Sequence, residues 1–325
     1  MRPGRFEVCV TTTPVAPALA AAVLSGDVRA VARAITLVEN DRPEAGPLLK
    51  ALFPHAGRAV VIGVTGAPGA GKSTLVDRLT AAYRRQGQRV GIVAVDPSSP
   101  FSGGAILGDR IRMQAHATDP GVFIRSMATR GQLGGLAAGT ARALSVLAAS
   151  GKDVILVETV GVGQDEVEVV GAADASVVVL VPGLGDAVQI HKAGIMEIAD
   201  VFVVNKADRD GAERVAADVR SMLSMGTAKR EVAEVVLTEA LADRGIPELA
   251  GAVAAFLARA RGSGLFARRR RAQLRRQFEQ TLRLRLMEHV AAKLIAPAEV
   301  EAALDRMERR ELDPATAAEE MMRRF

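Results

Sequence analysis

The stretch of sequence that decides the fold is Gly66-Ala67-Pro68-Gly69-Ala70-Gly71-Lys72-Ser73-Thr74, which matches the pattern G-x-x-x-x-G-K-[ST] without a gap. An apolar run of strand length precedes it at residues 59–65, and an amphipathic segment with helical periodicity begins near Lys72. Between a strand and a helix, such glycines let backbone N–H groups point inward around phosphate oxygens, and the helix adds its positive N-terminal end. The stretch therefore predicts a nucleotide site, with Lys72 on the β- and γ-phosphates and the Ser73 hydroxyl on Mg²⁺.

Similar apolar runs recur along the chain, and helical stretches separate most of them. These runs lie at residues 90–95, 122–124, 154–157, 177–181, 201–204 and 232–237. Continuous Val/Ile runs that alternate with helices are typical of a parallel sheet buried on both faces. The predicted fold class is therefore α/β, a P-loop nucleotide-binding domain with a mostly parallel sheet flanked by helices and with helical extensions at both ends.

The predicted domain boundaries are a helical extension over 1–57, the nucleotide-binding domain over 58–262 and a helical arm over 263–325. Residues 15–53 have helical spacing, with punctuation at Gly26-Asp27 and with Pro43 and Pro47 expected to break the run. Gly262-Ser263-Gly264 is interpreted as a linker. Three further helices are predicted beyond it, at about 265–294, 297–309 and 314–323.

Composition limits the class of protein. The chain has 325 residues, of which 49% are hydrophobic and 24% charged, as expected of a globular protein. Its single cysteine, Cys9, excludes an intramolecular disulfide or a Cys-based zinc site and favours a reducing, cytoplasmic location. The uncharged residues 8–26 contain two prolines and continue into a helical pattern, which disfavours a signal peptide. No other stretch is long and apolar enough to span a bilayer, so we expect no membrane partner.

A second motif, Asn205-Lys206-Ala207-Asp208, follows the apolar run at 201–204. The Asp208 carboxylate can accept hydrogen bonds from guanine N1–H and from the exocyclic N2 amine. Adenine offers neither donor in that geometry and would leave the carboxylate desolvated and unpaired. We expect Lys206 to lie along the base and Asn205 to tie this loop to the phosphate loop. The motif therefore predicts a guanine nucleotide.

Other carboxylates are placed to approach the metal. The run at 154–157 ends in Glu158-Thr-Val-Gly161, which puts Glu158 in the Mg²⁺ shell and the Gly161 N–H on the γ-phosphate. Asp96 and Asp109 are the further candidate ligands, although Asp109 is also a possible helix N-cap and Asp96 a possible turn residue. The predicted metal ligands are Ser73, Asp96, Asp109 and Glu158, and the predicted catalytic residues are Lys72, Asp109, Glu158 and Gly161.

Hydrolysis needs a water molecule aligned with the γ-phosphate rather than a strong nucleophile. Gln164 is the nearest glutamine, but it stands three residues beyond Gly161 and not beside it. Arg130 could stabilise charge in cis, or it could be a surface or interface residue. The residue that positions the water is therefore left open.

Several long motifs together make the chain resemble the MeaB (ArgK, human MMAA-like) family of GTPases. They lie at 26–35 with Glu39, 66–74, 95–113, 126–136, 157–164, 182–186 and 192–200. The resemblance implies a dimeric GTPase that helps load the cofactor into an adenosylcobalamin-dependent acyl-CoA mutase, most commonly methylmalonyl-CoA mutase, and protects that mutase against inactivation. It also implies that the C-terminal helices are a dimerisation arm and that residues 182–195 are the family's mobile loop.

The chain departs from the family pattern at the second guanine-contacting loop, Glu239-Ala240-Leu241, where the family usually carries Ser-Ala. Glu239 occupies the serine position. We still expect backbone N–H groups of this loop to contact guanine O6, but without a serine hydroxyl.

Three alternative functions are open at this point. A kinase or ATPase linked to basic amino-acid transport fits poorly with the guanine motif. A metallochaperone-type GTPase usually carries a Cys motif or a His-rich tract, whereas His55, His116, His191 and His289 are scattered. An RNA-binding GTPase would use the arginines between Arg268 and Arg276, but these are more simply a solvated helix face or a contact for an acidic partner, since no aromatic residues are interleaved for stacking.

Overall fold

The computed structural model describes residues 15–96, 116, 118–128, 135–159, 171–183, 199–225, 233–293 and 297–323. Within these ranges seven strands form one sheet in which every neighbouring pair is parallel. The strands are β1 (Val60–Gly66), β2 (Val90–Asp96), β3 (Val122–Ala128), β4 (Val154–Thr159), β5 (Ala175–Leu180), β6 (Val201–Asn205) and β7 (Glu234–Thr238). Their order is β3-β2-β4-β1-β5-β6-β7, so the predicted α/β fold class is confirmed.

Helices precede, connect and follow these strands. In chain order they are α1 (Val15–Leu24), α2 (Val28–Glu39), α3 (Ala45–Leu52), α4 (Lys72–Arg85), α5 (Gly135–Ala149), α6 (Ala212–Met225), α7 (Ile246–Gly262), α8 (Leu265–Lys293), α9 (Pro297–Glu308) and α10 (Pro314–Met322). None of the described helices combines the length and apolarity that crossing a bilayer requires.

Both faces of the sheet are covered, which explains why the strands read as continuous apolar runs. In β4, Leu156 packs into the cluster shared with α4 and α7. Its neighbours Ile155 and Val157 point the other way, into the cluster shared with α1, α2, α3 and α5. Because successive side chains of a strand alternate between faces, a strand buried on both faces is apolar over most of its length.

The N-terminal segment forms three helices, with a break at Gly26-Asp27 and another around Pro43. Asp27 caps α2, since its carboxylate accepts the Ala30 N–H at 2.7 Å. Pro43 lies between α2 and α3, but Pro47 lies inside the first turn of α3, so the expectation that Pro47 breaks a helix is wrong. A proline is tolerated there because the first N–H groups of a helix have no intrahelical partner.

The arginine-rich start of α8 is not simply a solvated face. Arg269 donates from both terminal nitrogens to Asp200, at 2.7 Å each, and Arg270 donates to both oxygens of Asp174, at 2.9 and 3.0 Å. These two carboxylates are almost completely buried just before β6 and β5, where they also accept the Ser176 and Val61 N–H groups. The interpretation of the whole cluster as an outer helix face is therefore wrong for Arg269 and Arg270. Both side chains are half-buried and form ion pairs with buried carboxylates.

We expect Asp200→Ala to lower the free energy of unfolding by about 2–4 kcal/mol, because the change leaves the Arg269 guanidinium without its buried partner. Urea unfolding of the nucleotide-free protein measures this loss. The matched control is Arg275→Ala, which removes an exposed pair with Glu279 and should have no measurable effect. A loss below about 1 kcal/mol for Asp200→Ala would contradict the structural role of this pair.

The chain divides into two compact units, Met1–Gln273 and Leu274–Phe325. The first unit contains the sheet and the first turns of α8, while the second contains the rest of α8 with α9 and α10. In the second unit, Arg306 and Glu320 pair at 2.8 Å, and Asp313 caps α10 through the Ala315 and Thr316 N–H groups. The division into domains at 1–57, 58–262 and 263–325, made from the sequence, stays a prediction.

Candidate nucleotide-binding site

The topology brings the predicted site residues to one edge of the sheet. Strands β1, β2, β4, β6 and β7 are parallel, so their carboxyl ends lie side by side. In open α/β sheets, ligands bind outside these ends, at a point where the order of connections reverses. Here the chain leaves β1 at the phosphate loop, with β4 on one side and β5 on the other.

The phosphate loop is tightly constrained at its first glycine. Gly66 has a φ of +143°, and a Cβ atom there would lie 2.2 Å from the Val179 carbonyl oxygen of β5. Lys72, the first residue of α4, folds back over the loop and donates to the Gly66 and Ala67 carbonyls at 2.8 and 3.0 Å. Its side chain is 5% exposed, so one positive charge is buried inside the loop at the N-terminus of a helix. This arrangement concentrates positive potential where phosphate oxygens are expected.

The Ser73 hydroxyl, in the first turn of α4, donates from Oγ to Oε1 of Glu158 at the end of β4, at 2.5 Å. Glu158 is buried near the end of β4, and its strand neighbour Thr159 donates to Thr65 of β1 at 3.2 Å. A hydroxyl and a carboxylate are hard oxygen donors of the kind that Mg²⁺ takes together with phosphate oxygens. Ser73 and Glu158 therefore fit the predicted metal site.

The other predicted metal and catalytic residues are placed only in part. Asp96 is the last residue of β2. This strand pairs in parallel with β4, so both strands end at the same edge of the sheet. Asp109 and Gly161 lie outside the described residues, as do Arg130, Gln164 and most of the predicted loop at 182–195. Among the residues that the structure describes, no three His, Cys, Asp or Glu side chains form a group that could hold a metal ion.

Asn205 joins its own turn after β6 to the phosphate loop and to the loop after β7. The bond to the phosphate loop was expected from the sequence. The Asn205 side chain is 2% exposed, and its amide nitrogen donates to the Ala70 carbonyl at 2.9 Å. Its amide oxygen accepts from the Thr238 hydroxyl and from the Ala240 N–H, both at 3.1 Å. A Cβ atom on Gly71 would lie 2.5 Å from the Asn205 amide nitrogen, so the contact needs glycine at that position.

Lys206 makes a contact that sequence reasoning missed. Its backbone is left-handed, with φ at +59°, and its ammonium donates to the Gly69 carbonyl at 2.7 Å. The Lys206 ammonium is therefore anchored on the phosphate loop, and its position along the base stays a prediction. Asp208 follows in an exposed turn after β6, where its carboxylate is accessible.

In the second loop predicted to contact the base, the Glu239 carboxylate pairs with Arg244, 3.3 Å away. Ala240 is buried, whereas Leu241 is 84% exposed. The carboxylate at the serine position is thus held by a partner within the same loop.

A parallel sheet with this strand order, a phosphate loop after its central strand and an N-K-x-D turn after β6 define a P-loop nucleotide-binding protein. The family model for methylmalonyl Co-A mutase-associated GTPase MeaB matches residues 31–294, and the chain belongs to this family.

Known relatives agree with that assignment. A Pyrococcus abyssi protein whose name marks it as a candidate GTPase is 48% identical over 92% of this chain and 93% of its own. GTPase ArgK of Escherichia coli is 40% identical over 78% and 81%, and the mitochondrial methylmalonic aciduria type A homolog of Mus musculus is 34% identical over 82% and 69%. The crystal structure of a LAO/AO transport system kinase has a TM-score of 0.71 at 28% identity, covering 95% of this chain and 97% of that one.

Proposed function

We propose that the chain binds guanine nucleotide with Mg²⁺ and hydrolyses GTP in order to assist an adenosylcobalamin-dependent acyl-CoA mutase in the cytoplasm. The observation that carries the nucleotide part is the set of hydrogen bonds through which Asn205 joins the phosphate loop to both base loops. A site of this kind holds the phosphate and base ends of one ligand at a fixed separation.

In this proposal the residues of the phosphate loop supply most of the catalytic effect. Lys72 neutralises charge on the β- and γ-phosphate oxygens, and the loop N–H groups between Gly66 and Thr74 hold the phosphates in line. Mg²⁺, held by Ser73 and Glu158 with Asp96 and Asp109 as further candidates, would neutralise the remaining phosphate charge. The Gly161 N–H is proposed to contact the γ-phosphate.

Base recognition in this proposal rests on Asp208 and on the loop Glu239-Ala240-Leu241. Asp208 accepts from the N1–H and N2 amine of guanine, and a loop N–H donates to O6. The two loops are linked in the structure, because the Ala207 N–H donates to the Thr238 carbonyl at 3.0 Å.

The mutase partner is proposed from the family and from the mouse relative, whose names refer to methylmalonyl-CoA mutase and to methylmalonic aciduria. A homodimer is proposed as the working form, with the second unit as the dimerisation arm. Four apolar side chains of α8 at four-residue spacing are exposed, as a helix that pairs with another helix requires: Leu274, Phe278, Leu282 and Leu286. A monomer in sedimentation equilibrium would contradict the dimer.

We expect the isolated protein to hydrolyse GTP slowly, on the order of 10⁻⁴ to 10⁻² s⁻¹, because no glutamine stands beside Gly161 to orient water. Adding the acyl-CoA mutase encoded in the same genome should raise the rate, as a partner that orders a switch segment completes the site. Phosphate release measured with and without the mutase tests this.

The matched control is a mutase that does not use adenosylcobalamin, which should leave the rate unchanged. Turnover above about one per second without a partner would contradict the slow intrinsic rate. No response to any acyl-CoA mutase would overturn the partner but leave the GTPase intact.

The name of the solved relative, a transport system kinase, supports one competing function. A kinase would transfer the γ-phosphate to an acceptor, whereas the proposed enzyme releases it to water. Incubation with γ-labelled GTP and ATP separates the two, since label that stays on an acceptor and a preference for ATP would both favour the kinase.

A further inference from the structure

The loop between β7 and α7, residues 239–245, is closed on itself by its backbone. Glu239 and Arg244 form an antiparallel bridge, with N–H to carbonyl distances of 3.1 and 3.2 Å. Asp243 is left-handed, and a Cβ atom on Gly245 would lie 2.1 Å from the Leu237 carbonyl oxygen. These constraints fix the shape of the loop.

Two hydrogen bonds hold this loop in position, one to each of the peptide units that flank Ala240. Ala240 itself is only 3% exposed. On one side, the Ala240 N–H donates to the Asn205 amide oxygen at 3.1 Å. On the other side, the Ala240 carbonyl accepts from Nε of Arg78 at 3.2 Å. Arg78 is 162 residues away in sequence, on the helix that begins with Lys72.

The second of these bonds has properties that matter for the position of the loop. A guanidinium is always charged and presents its donors in a rigid plane, so it fixes the direction of the bond as well as its length. A hydrogen bond from a charged donor is roughly twice as strong as a neutral one. The Arg78 side chain is 38% exposed, and solvent reduces this advantage without removing it.

We infer that Arg78 is a positioning residue for guanine specificity. By holding the Ala240 carbonyl, it fixes the loop Glu239-Ala240-Leu241, from which a backbone N–H group is proposed to donate to guanine O6. This inference rests on the proposed guanine nucleotide. It assigns to helix α4 a role at the base in addition to its role at the phosphates. Glu239 supports the same loop from within, through its pair with Arg244.

The test compares GDP with nucleotides that are changed at the 6-position or at the 2-position of the base. Arg78→Met removes the donor but keeps an unbranched apolar stem, and Arg78→Lys keeps the charge. We expect R78M to weaken GDP binding by about 5- to 20-fold, while binding of 6-thio-GDP, whose sulfur is a poor acceptor, changes by less than about threefold. Binding of IDP, which lacks only the N2 amine, should weaken as much as that of GDP. R78K keeps the charge but loses the rigid planar donor, so it should recover only part of the lost GDP affinity.

Arg85→Met is the matched control. Arg85 lies on the same helix and pairs with Asp243 of the same loop at 3.4 Å, but both side chains are exposed and the Ala240 carbonyl is not involved. Its GDP affinity should stay within about twofold of the parent. The unfolding midpoint of nucleotide-free R78M should match that of R85M.

An unchanged GDP affinity in R78M, an equal loss for GDP and 6-thio-GDP, or an equal loss in R85M would each overturn the inference. A parent protein that binds GDP no better than ADP would overturn the proposed function, and the inference with it. Calorimetric titration with the four nucleotides distinguishes these outcomes.

Discussion

Lys72→Ala is expected to reduce GTP hydrolysis by about 100-fold or more while leaving the fold intact. The buried ammonium lies over the phosphate loop, held by the Gly66 and Ala67 carbonyls. Negative charge moves on the phosphate oxygens during phosphoryl transfer, and a preorganised cation in a site shielded from water stabilises that charge without reorganisation. Removal of the ammonium therefore acts on the transition state more than on the fold.

Single-turnover hydrolysis at saturating GTP measures this effect apart from binding. The matched control is Lys206→Ala, which removes another ammonium bonded to the same loop, at the Gly69 carbonyl. In the proposed site Lys206 lies along the base. The K206A change should weaken nucleotide binding and leave the single-turnover rate within about threefold. Circular dichroism and thermal unfolding monitor the fold, and a K72A protein with unchanged turnover would mean that the phosphate loop has been misidentified.

Asp208→Asn is expected to change the preferred base from guanine to xanthine. In the proposed site, the native carboxylate accepts from two guanine donors. An asparagine amide accepts only through its oxygen, and its NH₂ would face the guanine amine, donor against donor. Xanthine has a carbonyl in place of that amine, so the amide pairs with both groups again. One mismatched polar pair costs roughly 1–3 kcal/mol, which is about 5- to 150-fold in affinity.

Titration of the parent and variant proteins with GDP and XDP measures the switch. Asp210→Asn is the matched control, because Asp210 is an exposed carboxylate two residues further along the same turn. It should keep the preference for GDP. If D208N still preferred GDP by tenfold or more, Asp208 would not be the residue that reads the base.

The central strand, the phosphate loop and the parallel sheet could be predicted because their signals are local. Strand ends were harder. The run at 122–124 extends as β3 to Ala128, although Arg125 and Ser126 are polar. Pairing with β2 continues through these residues, and Arg125 forms an ion pair with Glu39 of α2 at 2.6 Å. An edge strand can therefore include a charged residue when its side chain forms an ion pair with a residue distant in sequence.

Long-range partners also explain what the sequence did not reveal in the fold and at the site. The pairs Arg269–Asp200 and Arg270–Asp174 join residues 69 and 96 positions apart, and the Arg78 contact spans 162. No periodicity or spacing rule predicts such pairs. By contrast, the bond from Asn205 to the phosphate loop was predictable, because its motif and its parallel strand fix the edge at which it lies.

The bonds of Asn205 and Lys206 to the phosphate loop limit how this protein can be redesigned. Neither residue is available for changing the base that is bound, because each also supports the phosphate end of the site. Gly71 cannot accept a side chain without displacing the Asn205 amide. A version of this protein that responds to a synthetic nucleotide must therefore be built from the exposed turn at Asp208, where a changed side chain leaves the shared framework untouched.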